Sequence, residues 1–515
     1  MTTQANFFVA LQQAMPPNKK APAIWADGDL TYSWQDLEEA TAMLANLLDD
    51  LQLPKGSRIA VQVDKSVEAV MLYLATLRAG HVFLPLNTAY QSGEIGYFLE
   101  NATPAVVVCS PANFGWVSKL AFKNGVERVF TLSDDRQGTL LERAAAMPRT
   151  HQAAVVDADT LAVIIYTSGT TGRSKGAMLS HGNITSNAET LKAYWDWQPN
   201  DVLIHALPIF HVHGLFVAIH GAMLNGSPMI WMNKFDPKRA IDHMSKGTVF
   251  MGVPTLYTRM LAEPGLTEAS TKNMRLFVSG SAPMLAETHA DWQAATGHAI
   301  LERYGMSETV MLTSNPCRPD ARYNNQAERR GGTVGFPLPG VTLRVVDDDN
   351  QPLPADEIGG IQVKGPNVFL GYWQMPEKTA EEFTADGFFK TGDVGKQGSD
   401  GYVTIVGRSK DLIISGGYNV YPAEIESFIN NLPGVAESGV VGVPHPDFGE
   451  VGVAVVVPKA GATVNAASVV AAIKSEMANF KVPKHCVIVD ALPRNIMGKV
   501  QKNLIRAEYA QLFTG

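Results

Sequence analysis

A segment rich in glycine and hydroxyl side chains, residues 166–176, follows an apolar stretch at residues 161–165. The apolar stretch predicts a buried strand. The segment after it offers backbone N–H groups and hydroxyls to phosphate oxygens, and Arg173 and Lys175 add positive charge. Its spacing is neither that of the P-loop nor the Gly-x-Gly-x-x-Gly of dinucleotide sites. The segment therefore predicts a nucleotide phosphate loop, with a flexible surface turn as the alternative.

Four further motifs follow at the ends of predicted strands and helices. Carboxylates, lysine, arginine and histidine recur in them, which are the side chains that charge stabilisation and proton transfer require. The motifs are Pro-Ile-Phe-His-Val-His-Gly at 208–214, Tyr-Gly-Met-Ser-Glu-Thr at 304–309, Thr-Gly-Asp at 391–393 with Gly-Arg-Ser-Lys-Asp at 407–411, and Pro-Arg-Asn-Ile-Met-Gly-Lys at 493–499.

The elements that must position these motifs alternate between helix and strand. Ser33 can cap a helix in which Leu37, Ala40, Leu44 and Leu47 recur at helical spacing. A strand at 58–63 and a helix at 67–78 come next. Further strands are predicted at 202–207 and 275–279. This order is typical of an α/β fold in which right-handed crossovers join parallel strands.

The pattern of predicted helices and strands changes twice towards the C-terminus. Short β-like runs between about 335 and 406 predict a small antiparallel unit, with strands at 343–346 and 360–363. Beyond Arg408, helix and strand patterns predict a compact α+β domain of about a hundred residues. Its helices are expected at 424–429 and 471–477, and its strands at 439–443 and 451–457.

Composition narrows the class of protein. The 515 residues are 46% hydrophobic and 18% charged, which excludes a disordered chain. A net charge of −8 argues against a nucleic-acid partner, so anionic substrates must be captured by local groups. Three scattered cysteines suggest no zinc site and a reducing compartment. The N-terminus shows no signal peptide, and the apolar run 67–77 is too short to span a bilayer. We expect a cytoplasmic protein without a membrane partner.

The five motifs, in this order and at these intervals, resemble the adenylate-forming superfamily of acyl-CoA synthetases, luciferases and peptide-synthetase adenylation domains. The resemblance covers nearly the whole chain. It implies a large N-terminal domain of doubly wound βαβ subdomains plus a small β unit (residues 1–409) and a small mobile α+β C-terminal domain (410–515). It also implies a carboxylate that attacks the α-phosphorus of ATP with Mg²⁺ present, and a thiol that then takes the acyl group.

The resemblance assigns roles to individual residues. Lys499, Glu308 and His211 are the implied catalytic residues, with Lys499 bridging the carboxylate and the α-phosphate. Glu308 and Thr167 are the implied metal ligands, since Mg²⁺ prefers oxygen. Tyr304 would stack on adenine, while Asp393 and Arg408 would contact the ribose. The full implied nucleotide set is Thr167, Ser168, Gly169, Thr170, Thr171, Gly172, Lys175, Gly280, Ser281, Ala282, Glu302, Tyr304, Gly305, Ser307, Asp393 and Arg408.

The residues around Arg303 point to the acid. Arginine immediately before Tyr304 would face the acyl pocket, where a planar cation is best satisfied by a second carboxylate. With His211, Met306 and Met311 nearby, the region resembles the malonyl-CoA synthetases, as do residues 83–90, 205–208 and 302–306. In the alternative, Arg303 pairs with Glu302 or Glu308. Arg173 is a second candidate for the acid carboxylate, or a phosphate contact.

One position departs from the malonyl-CoA synthetase pattern. Val212 stands between the two histidines, where that family has threonine. Because valine keeps the volume and removes the hydroxyl, we expect methylmalonate to be accepted differently from malonate.

The second half-reaction implies rotation of the C-terminal domain about a hinge at Lys410. Ser415, Gly416 and Gly417 would then approach the pantetheine thiol, or else form only a tight turn. No carrier domain follows, so free coenzyme A is the expected acceptor. Resemblance also implies that a lysine acyltransferase switches activity off by acylating Lys499.

Three other functions stay open at this point. A ligase for another short or aromatic acid is the first alternative, and a catalytically inactive nucleotide-binding relative is the second. A luciferase is a third, although an oxygenase pocket has little use for Arg303. The oligomeric state is not predicted.

Overall fold

The computed structural model describes residues 4–167, 174–415, 418–495 and 498–513. Eight residues with assigned roles lie outside this set, namely Ser168, Gly169, Thr170, Thr171, Gly172, Arg173, Gly416 and Gly417.

The first 150 residues form alternating helices and strands. In chain order these are α1 (Phe7–Ala14), β1 (Pro22–Ala26), β2 (Leu30–Ser33), α2 (Trp34–Asp50), β3 (Arg58–Gln62), α3 (Val67–Arg78), β4 (Val82–Pro85), α4 (Ser92–Ala102), β5 (Val106–Cys109), α5 (Phe114–Lys123), β6 (Arg128–Thr131) and α6 (Thr139–Ala144).

The middle of the chain continues the alternation and carries most of the motifs. Its elements are β7 (Leu161–Thr167), β8 (Lys175–Ser180), α7 (His181–Tyr194), β9 (Leu203–His205), a π-helix (His213–Ile219), α8 (His220–Leu224), β10 (Met229–Trp231), α9 (Pro237–His243), β11 (Val249–Gly252), α10 (Pro254–Leu261), α11 (Glu268–Thr271), β12 (Leu276–Ser279), α12 (Ala286–Thr296), β13 (Leu301–Met306), β14 (Val310–Ser314) and β15 (Phe336–Pro337).

The last third is richer in strands. It contains β16 (Thr342–Val346), β17 (Gly359–Lys364), β18 (Gly371–Tyr372), α13 (Pro376–Glu382), β19 (Phe389–Gln397), β20 (Val403–Arg408), β21 (Ile413–Ser415), β22 (Tyr418–Val420), α14 (Pro422–Asn430), β23 (Val435–His445), β24 (Gly449–Pro458), α15 (Ala466–Glu476), β25 (His485–Ile488) and α16 (Lys502–Tyr509).

Two large sheets hold the N-terminal part together. One has the order β18-β8-β7-β4-β3-β5-β6 and the other the order β15-β14-β13-β12-β11-β9-β10-β1-β2. In both, the central strands are parallel and the antiparallel pairs lie at an edge. The parallel strands β3, β4 and β5 are almost entirely buried, as strands covered by helices on both faces must be. The predicted α/β architecture is confirmed.

Local signals in the sequence explain where the helices begin. Ser33 caps α2 and forms a capping box with Asp36, as predicted. Helix α3 spans the predicted residues and is buried on all sides, with Ser66 as its N-cap. Strand β9 is shorter than predicted, because residues 206–212 leave the sheet to form the loop before the π-helix.

Two smaller sheets complete the fold. The predicted antiparallel unit is the sheet β16-β17-β19-β20. The C-terminal sheet has the order β22-β21-β24-β23, with β25 parallel to β24. A single 3₁₀ turn, Ser409–Asp411, connects the two sheets, and the predicted boundary between residues 409 and 410 falls inside it. Among the described residues, no helix is both long and apolar enough to cross a bilayer.

Candidate active site

Strand β13 directs consecutive side chains to opposite sides, as the period of a strand requires. Glu302 and Tyr304 face one side, where Glu302 accepts a hydrogen bond from the N–H of Gly332 (3.3 Å) and Tyr304 donates to Asp393. Arg303 faces the other side, against Gly280 at the end of β12. One strand thus separates two polar regions of the site.

Arg303 is 4% exposed and lacks partners for part of its guanidinium. Its Nε and Nη2 atoms are buried and form no hydrogen bond with any described residue. It forms no ion pair with Glu302 or Glu308, so the alternative pairing is not seen. Burial lowers the pKa of Arg303 to about 9, with Tyr257 acting in the opposite direction. Because a buried, unpaired cation is costly, the geometry fits an anion at this position.

Gly280 makes room for this guanidinium. A Cβ at position 280 would lie 2.5 Å from the guanidinium carbon of Arg303, which real Cβ atoms do not tolerate. Ser281, the next residue, has a positive φ of 72° and its hydroxyl lies 3.3 Å from Nδ1 of His213. The β12–α12 loop therefore shapes the Arg303 pocket as well as the implied nucleotide side, where Ala282 follows Ser281.

Two histidines border the same pocket. Burial, followed by the charges of Lys499 and Arg303, lowers the pKa of His211 to about 4. Burial and then Arg303 also lower the pKa of His213, whose Nε2 has no described partner. Both imidazoles are therefore neutral at physiological pH. Neutral rings beside Arg303 leave its charge available to an incoming anion.

The loop that carries these histidines closes tightly on itself at Gly214. His205 Nε2 lies 3.0 Å from the carbonyl oxygen of Gly214, and a Cβ on Gly214 would meet the Pro208 carbonyl oxygen at 2.0 Å. The π-helix begins at this point, and π-helical turns are frequent at functional sites. The backbone of residues 205–214 thus forms a clasped loop.

Replacing Gly214 by alanine is expected to open this clasp. The added methyl group must displace Pro208, at a cost of about 1–3 kcal/mol for overpacking. We expect a lower thermal midpoint and weaker use of the acid substrate, measured as AMP release against acid concentration. Gly115→Ala, where a Cβ meets open space, is the matched control. If AMP release in Gly214→Ala depends on the concentration of the acid substrate as it does in the wild type, the clasped loop does not shape the acid pocket.

A second cluster joins β13, β19 and β20. The hydroxyl of Tyr304 donates to Asp393 Oδ2, and Arg408 Nε lies 2.7 Å from Asp393 Oδ1. The backbone N–H of Asp393 donates to the Thr391 hydroxyl (3.1 Å), which fixes the loop. Tyr304, Asp393 and Arg408, all expected from the resemblance to contact the nucleoside of ATP, are therefore in contact with one another.

A third cluster surrounds Glu308, which is 5% exposed. The Tyr372 hydroxyl donates to its Oε1 (3.0 Å), and Lys175 Nζ lies 4.1 Å from the centre of the Tyr372 ring. Burial raises the pKa of Glu308, and the cations Arg408 and Lys175 act in the opposite direction. Lys175 also lies 3.5 Å from Glu382.

The remaining implied residues lie on or beside the same strands. The Thr167 hydroxyl is 3.4 Å from the Lys175 carbonyl oxygen across the β7–β8 pair. Gly305 and Met306 end β13, and Ser307 lies in the turn before β14. Ser415 ends β21, in the hairpin with β22.

Lys499 approaches the site from the C-terminal domain. Arg494 and Val500 form an isolated bridge around it, and its N–H donates to Asn495 (3.0 Å). A Cβ on Gly498 would meet Thr255 Oγ1 on α10 at 2.9 Å, so this turn packs against the N-terminal part. Lys499 remains exposed to solvent, and partial burial followed by the charge of Arg408 lowers its pKa. Lys410 lies in the connecting turn, where burial and Arg408 lower its pKa to about 8.

Glu302 is expected to make the stability of the folded protein depend on pH. Burial raises its pKa to about 8, against the hydrogen bonds from Gly332 and Met284. The folded protein therefore holds this proton more tightly than the unfolded chain. Its contribution to stability is complete below pH 4.5 and is lost as pH rises towards 8, by at most about 1.4 kcal/mol per pKa unit.

We accordingly expect Glu302→Gln to raise the thermal midpoint relative to the wild type by an amount that grows from pH 5 to pH 8.5. The exposed Glu476→Gln is the control and should show no such trend. An equal difference at both pH values would show that Glu302 does not titrate in this range.

The structure adds residues that the motifs did not identify. Tyr372 contacts Glu308, and His213 lies closer to the Arg303 pocket than its motif suggested. Tyr372 stands outside every motif, and nothing in the sequence marks it. His213 belongs to the 208–214 motif, but the resemblance assigned a role only to its neighbour His211.

Comparison with known proteins settles the family. The profile described as AMP-binding enzyme matches residues 11–373, and the AMP-binding enzyme C-terminal domain matches residues 424–499. The chain belongs to the AMP-binding enzyme family. Its similarity to a malonate–CoA ligase from Arabidopsis thaliana is 34% identity over 88% of this chain and 78% of the relative. A feruloyl-CoA synthase from Amycolatopsis is 32% identical over 94% of this chain and 95% of the relative.

Solved structures agree with this assignment. The AMP-binding enzyme described here matches ATP-bound MatB from Rhodopseudomonas palustris with 51% identity and a TM-score of 0.95, over 99% of this chain and 100% of that chain. The TM-score against apo MatB of the same organism is 0.85. The resemblance to the adenylate-forming superfamily, and within it to malonyl-CoA synthetase, is confirmed, and the protein is an ATP-dependent acyl-CoA ligase.

Proposed function

We propose that this ligase activates malonate, forming malonyl-CoA through a malonyl-adenylate. The observation that carries the proposal is the buried guanidinium of Arg303, with Nε and Nη2 unpartnered among the described residues. A dicarboxylic acid supplies the missing anion and keeps a second carboxylate for chemistry. Relatives named malonate–CoA ligase support the choice, whereas the feruloyl-CoA and indoleacetate ligases at similar identity represent the alternative of an aromatic acid.

In the first half-reaction, we assign Arg303 to the distal carboxylate of malonate. The proximal carboxylate oxygen then forms a bond to the α-phosphorus of ATP, and the bond to the pyrophosphate oxygen breaks. Negative charge concentrates at this centre, where Lys499 and Arg408 supply positive charge. We assign Lys175 to the phosphates and the Tyr304–Asp393–Arg408 cluster to the nucleoside, and the mutual contacts within the cluster support this assignment.

In the second half-reaction, the sulfur of coenzyme A forms a bond to the acyl carbon and the carbon–oxygen bond to AMP breaks. AMP leaves with that electron pair, and the thiol proton is released to solvent. We assign Lys499 to the C-terminal domain and to the first half-reaction, since its charge acts on His211 and Asp393 in the present arrangement. We propose that residues 410–515 turn as a unit about the 3₁₀ turn at Lys410 to admit the thiol. The high TM-score with an ATP-bound structure agrees with the present arrangement being that of the first half-reaction.

Glu308 fits a magnesium site of the kind completed by substrate phosphates. Magnesium commonly binds one or two carboxylates and keeps water and phosphate oxygens as its other ligands. Tyr372 donates to Oε1 of the buried Glu308 carboxylate, and we assign the hydroxyl of Thr167 as a second oxygen ligand. When bound, the ion would neutralise charge on the phosphates.

We expect Glu308→Gln to raise the Mg²⁺ concentration needed for half-maximal adenylation by about tenfold or more, since a charged oxygen ligand is lost. Titration of ATP–pyrophosphate exchange with Mg²⁺ measures this. Glu377→Gln on the exposed face of α13 is the control. An unchanged Mg²⁺ requirement would place the metal elsewhere.

The proposed function is tested by AMP release from ATP with coenzyme A and Mg²⁺. Malonate, methylmalonate, succinate and acetate are compared at equal concentration. Malonate well ahead of acetate supports the proposal, and methylmalonate reports on the buried Val212. If a monocarboxylic acid releases AMP faster than malonate does, malonate is not the preferred acid, but the assignment as an acyl-CoA ligase stands. Release of no AMP with any acid would favour the inactive relative.

A further inference from the structure

Lys65 is a half-buried lysine to which no catalytic role has been assigned. It follows β3 of the seven-stranded sheet and reaches across to the nine-stranded sheet. Its Nζ donates to the carbonyl oxygens of His205 (3.0 Å) and Met232 (2.7 Å). These residues stand at the carboxyl ends of the adjacent strands β9 and β10. Lys65 therefore joins the two sheets at the edge where the site is built.

The environment of Lys65 contains no paired anion. It forms no ion pair with a carboxylate in the described ranges, and its Nζ lies 4.4 Å from the centre of the Trp231 ring. Burial lowers its pKa far below the ordinary value, with Asp27 acting in the opposite direction. A lysine held by carbonyls and an aromatic face is costly to bury. An apolar side chain would fill the same space without this desolvation cost. The polar contacts of Lys65 therefore point to a role other than filling space.

Lys65 contacts His205 directly. The ring of His205 stacks on Trp231 at 4.7 Å and 7°, and its backbone carbonyl accepts from Lys65. Because a carbonyl oxygen only accepts, the contact of His205 Nε2 with the Gly214 carbonyl requires the proton on Nε2. Burial and then the charge of Lys65 lower the pKa of His205, which keeps the ring neutral.

The Gly214 contact closes the clasped loop that carries His211 and His213. The N–H of Leu215, the residue after Gly214, donates to the His211 carbonyl oxygen (3.0 Å), so the backbone next to Gly214 is hydrogen-bonded to His211. A chain of contacts thus runs from Lys65 through His205 and Gly214 to the histidines beside Arg303.

We propose that Lys65 is a positioning residue for the acid pocket, acting through His205 to hold the clasped loop closed. It does not contact the reacting atoms. The inference rests on the pocket between His211 and Arg303 described above, but not on malonate being the acid. The acid used in its test is therefore whichever one releases AMP fastest with the wild type, and failure of malonate leaves the test intact.

Lys65→Met and the milder Lys65→Gln are compared with the exposed Lys55→Met as control. We expect the KM for the acid to rise about tenfold in Lys65→Met, as for loss of a charged hydrogen bond. The KM values for ATP and coenzyme A should change less than about threefold. Thermal midpoints and the fraction of enzyme that forms adenylate in a burst correct for unfolded protein. A fall in kcat alone, with the KM for the acid unchanged in both variants, would overturn the proposal.

A double-mutant cycle separates positioning from general stabilisation. If Lys65 acts through His205, the KM for the acid in Lys65→Met/His205→Phe should be about the same as in His205→Phe alone, so that the two effects do not add. Multiplication of the two effects on the KM for the acid would show that Lys65 acts independently of His205, and would overturn the inference.

Discussion

Replacing Arg303 by methionine is expected to remove the preference for a dicarboxylic acid over acetate. In the wild type, acetate leaves the guanidinium buried and unpaired, a penalty that discriminates by roughly 10⁴ in sites built for a polar group. Methionine fills a similar volume without charge, so this penalty disappears. The ratio of kcat/KM for malonate to that for acetate should fall by about the same factor.

The measurement is AMP release over a range of each acid, with the thermal midpoint recorded for every variant. Arg259→Met, on the exposed face of α10, controls for loss of positive charge. Removal of a buried cation should leave the fold at least as stable, because its desolvation cost is also removed. An Arg303→Met enzyme that still prefers malonate over acetate as strongly as the wild type would refute the assignment of Arg303.

Lys499→Ala is expected to reduce adenylation by roughly 10²–10³-fold, by analogy with the loss of one oxyanion donor of about 3–4 kcal/mol. The reason is that negative charge from the carboxylate and the α-phosphate meets where Lys499 enters. Thioester formation from a preformed adenylate should be affected much less, because that step requires no new charge at phosphorus.

The two partial reactions are measured separately, as ATP–pyrophosphate exchange and as coenzyme A consumption from synthetic malonyl-adenylate. Lys474→Ala on the exposed face of α15 is the control. If Lys499→Ala shows normal ATP–pyrophosphate exchange but uses the preformed adenylate slowly, the role assigned to Lys499 in adenylation is wrong. The same lysine is the predicted target of an acyltransferase, and mass spectrometry of protein from resting cells that finds no acyl-Lys499 would count against that prediction.

Much of the fold followed from local patterns. Helix α2 was predicted from one capping serine and four apolar positions, and α3 from a continuous apolar run that ends at glycine. These signals are local, since capping and periodicity depend on neighbours in sequence. The length of β9 was overestimated because apolar residues 206 and 207 are buried in the loop as thoroughly as in a strand.

Individual residues of the candidate site could be named from the sequence, but the contacts between them could not be predicted. Motifs located Tyr304, Asp393 and Arg408, yet only the folded chain shows them as one hydrogen-bonded group. Tyr372 and Lys65 could not be found from spacing, because each acts through a neighbour more than sixty residues away. The unpartnered state of Arg303 likewise depends on every element packed around it.

The alternation along β13 makes two properties of the enzyme separately adjustable. Position 303 faces the pocket proposed for the acid, while positions 302 and 304 face Gly332 and Asp393 on the other side of the strand. A protein engineer who wishes to change the proposed acid scope can therefore randomise position 303 alone. A library confined to this position leaves Glu302 and Tyr304 unchanged on the opposite face of the strand, so we expect ATP consumption to remain a usable signal for screening new acids.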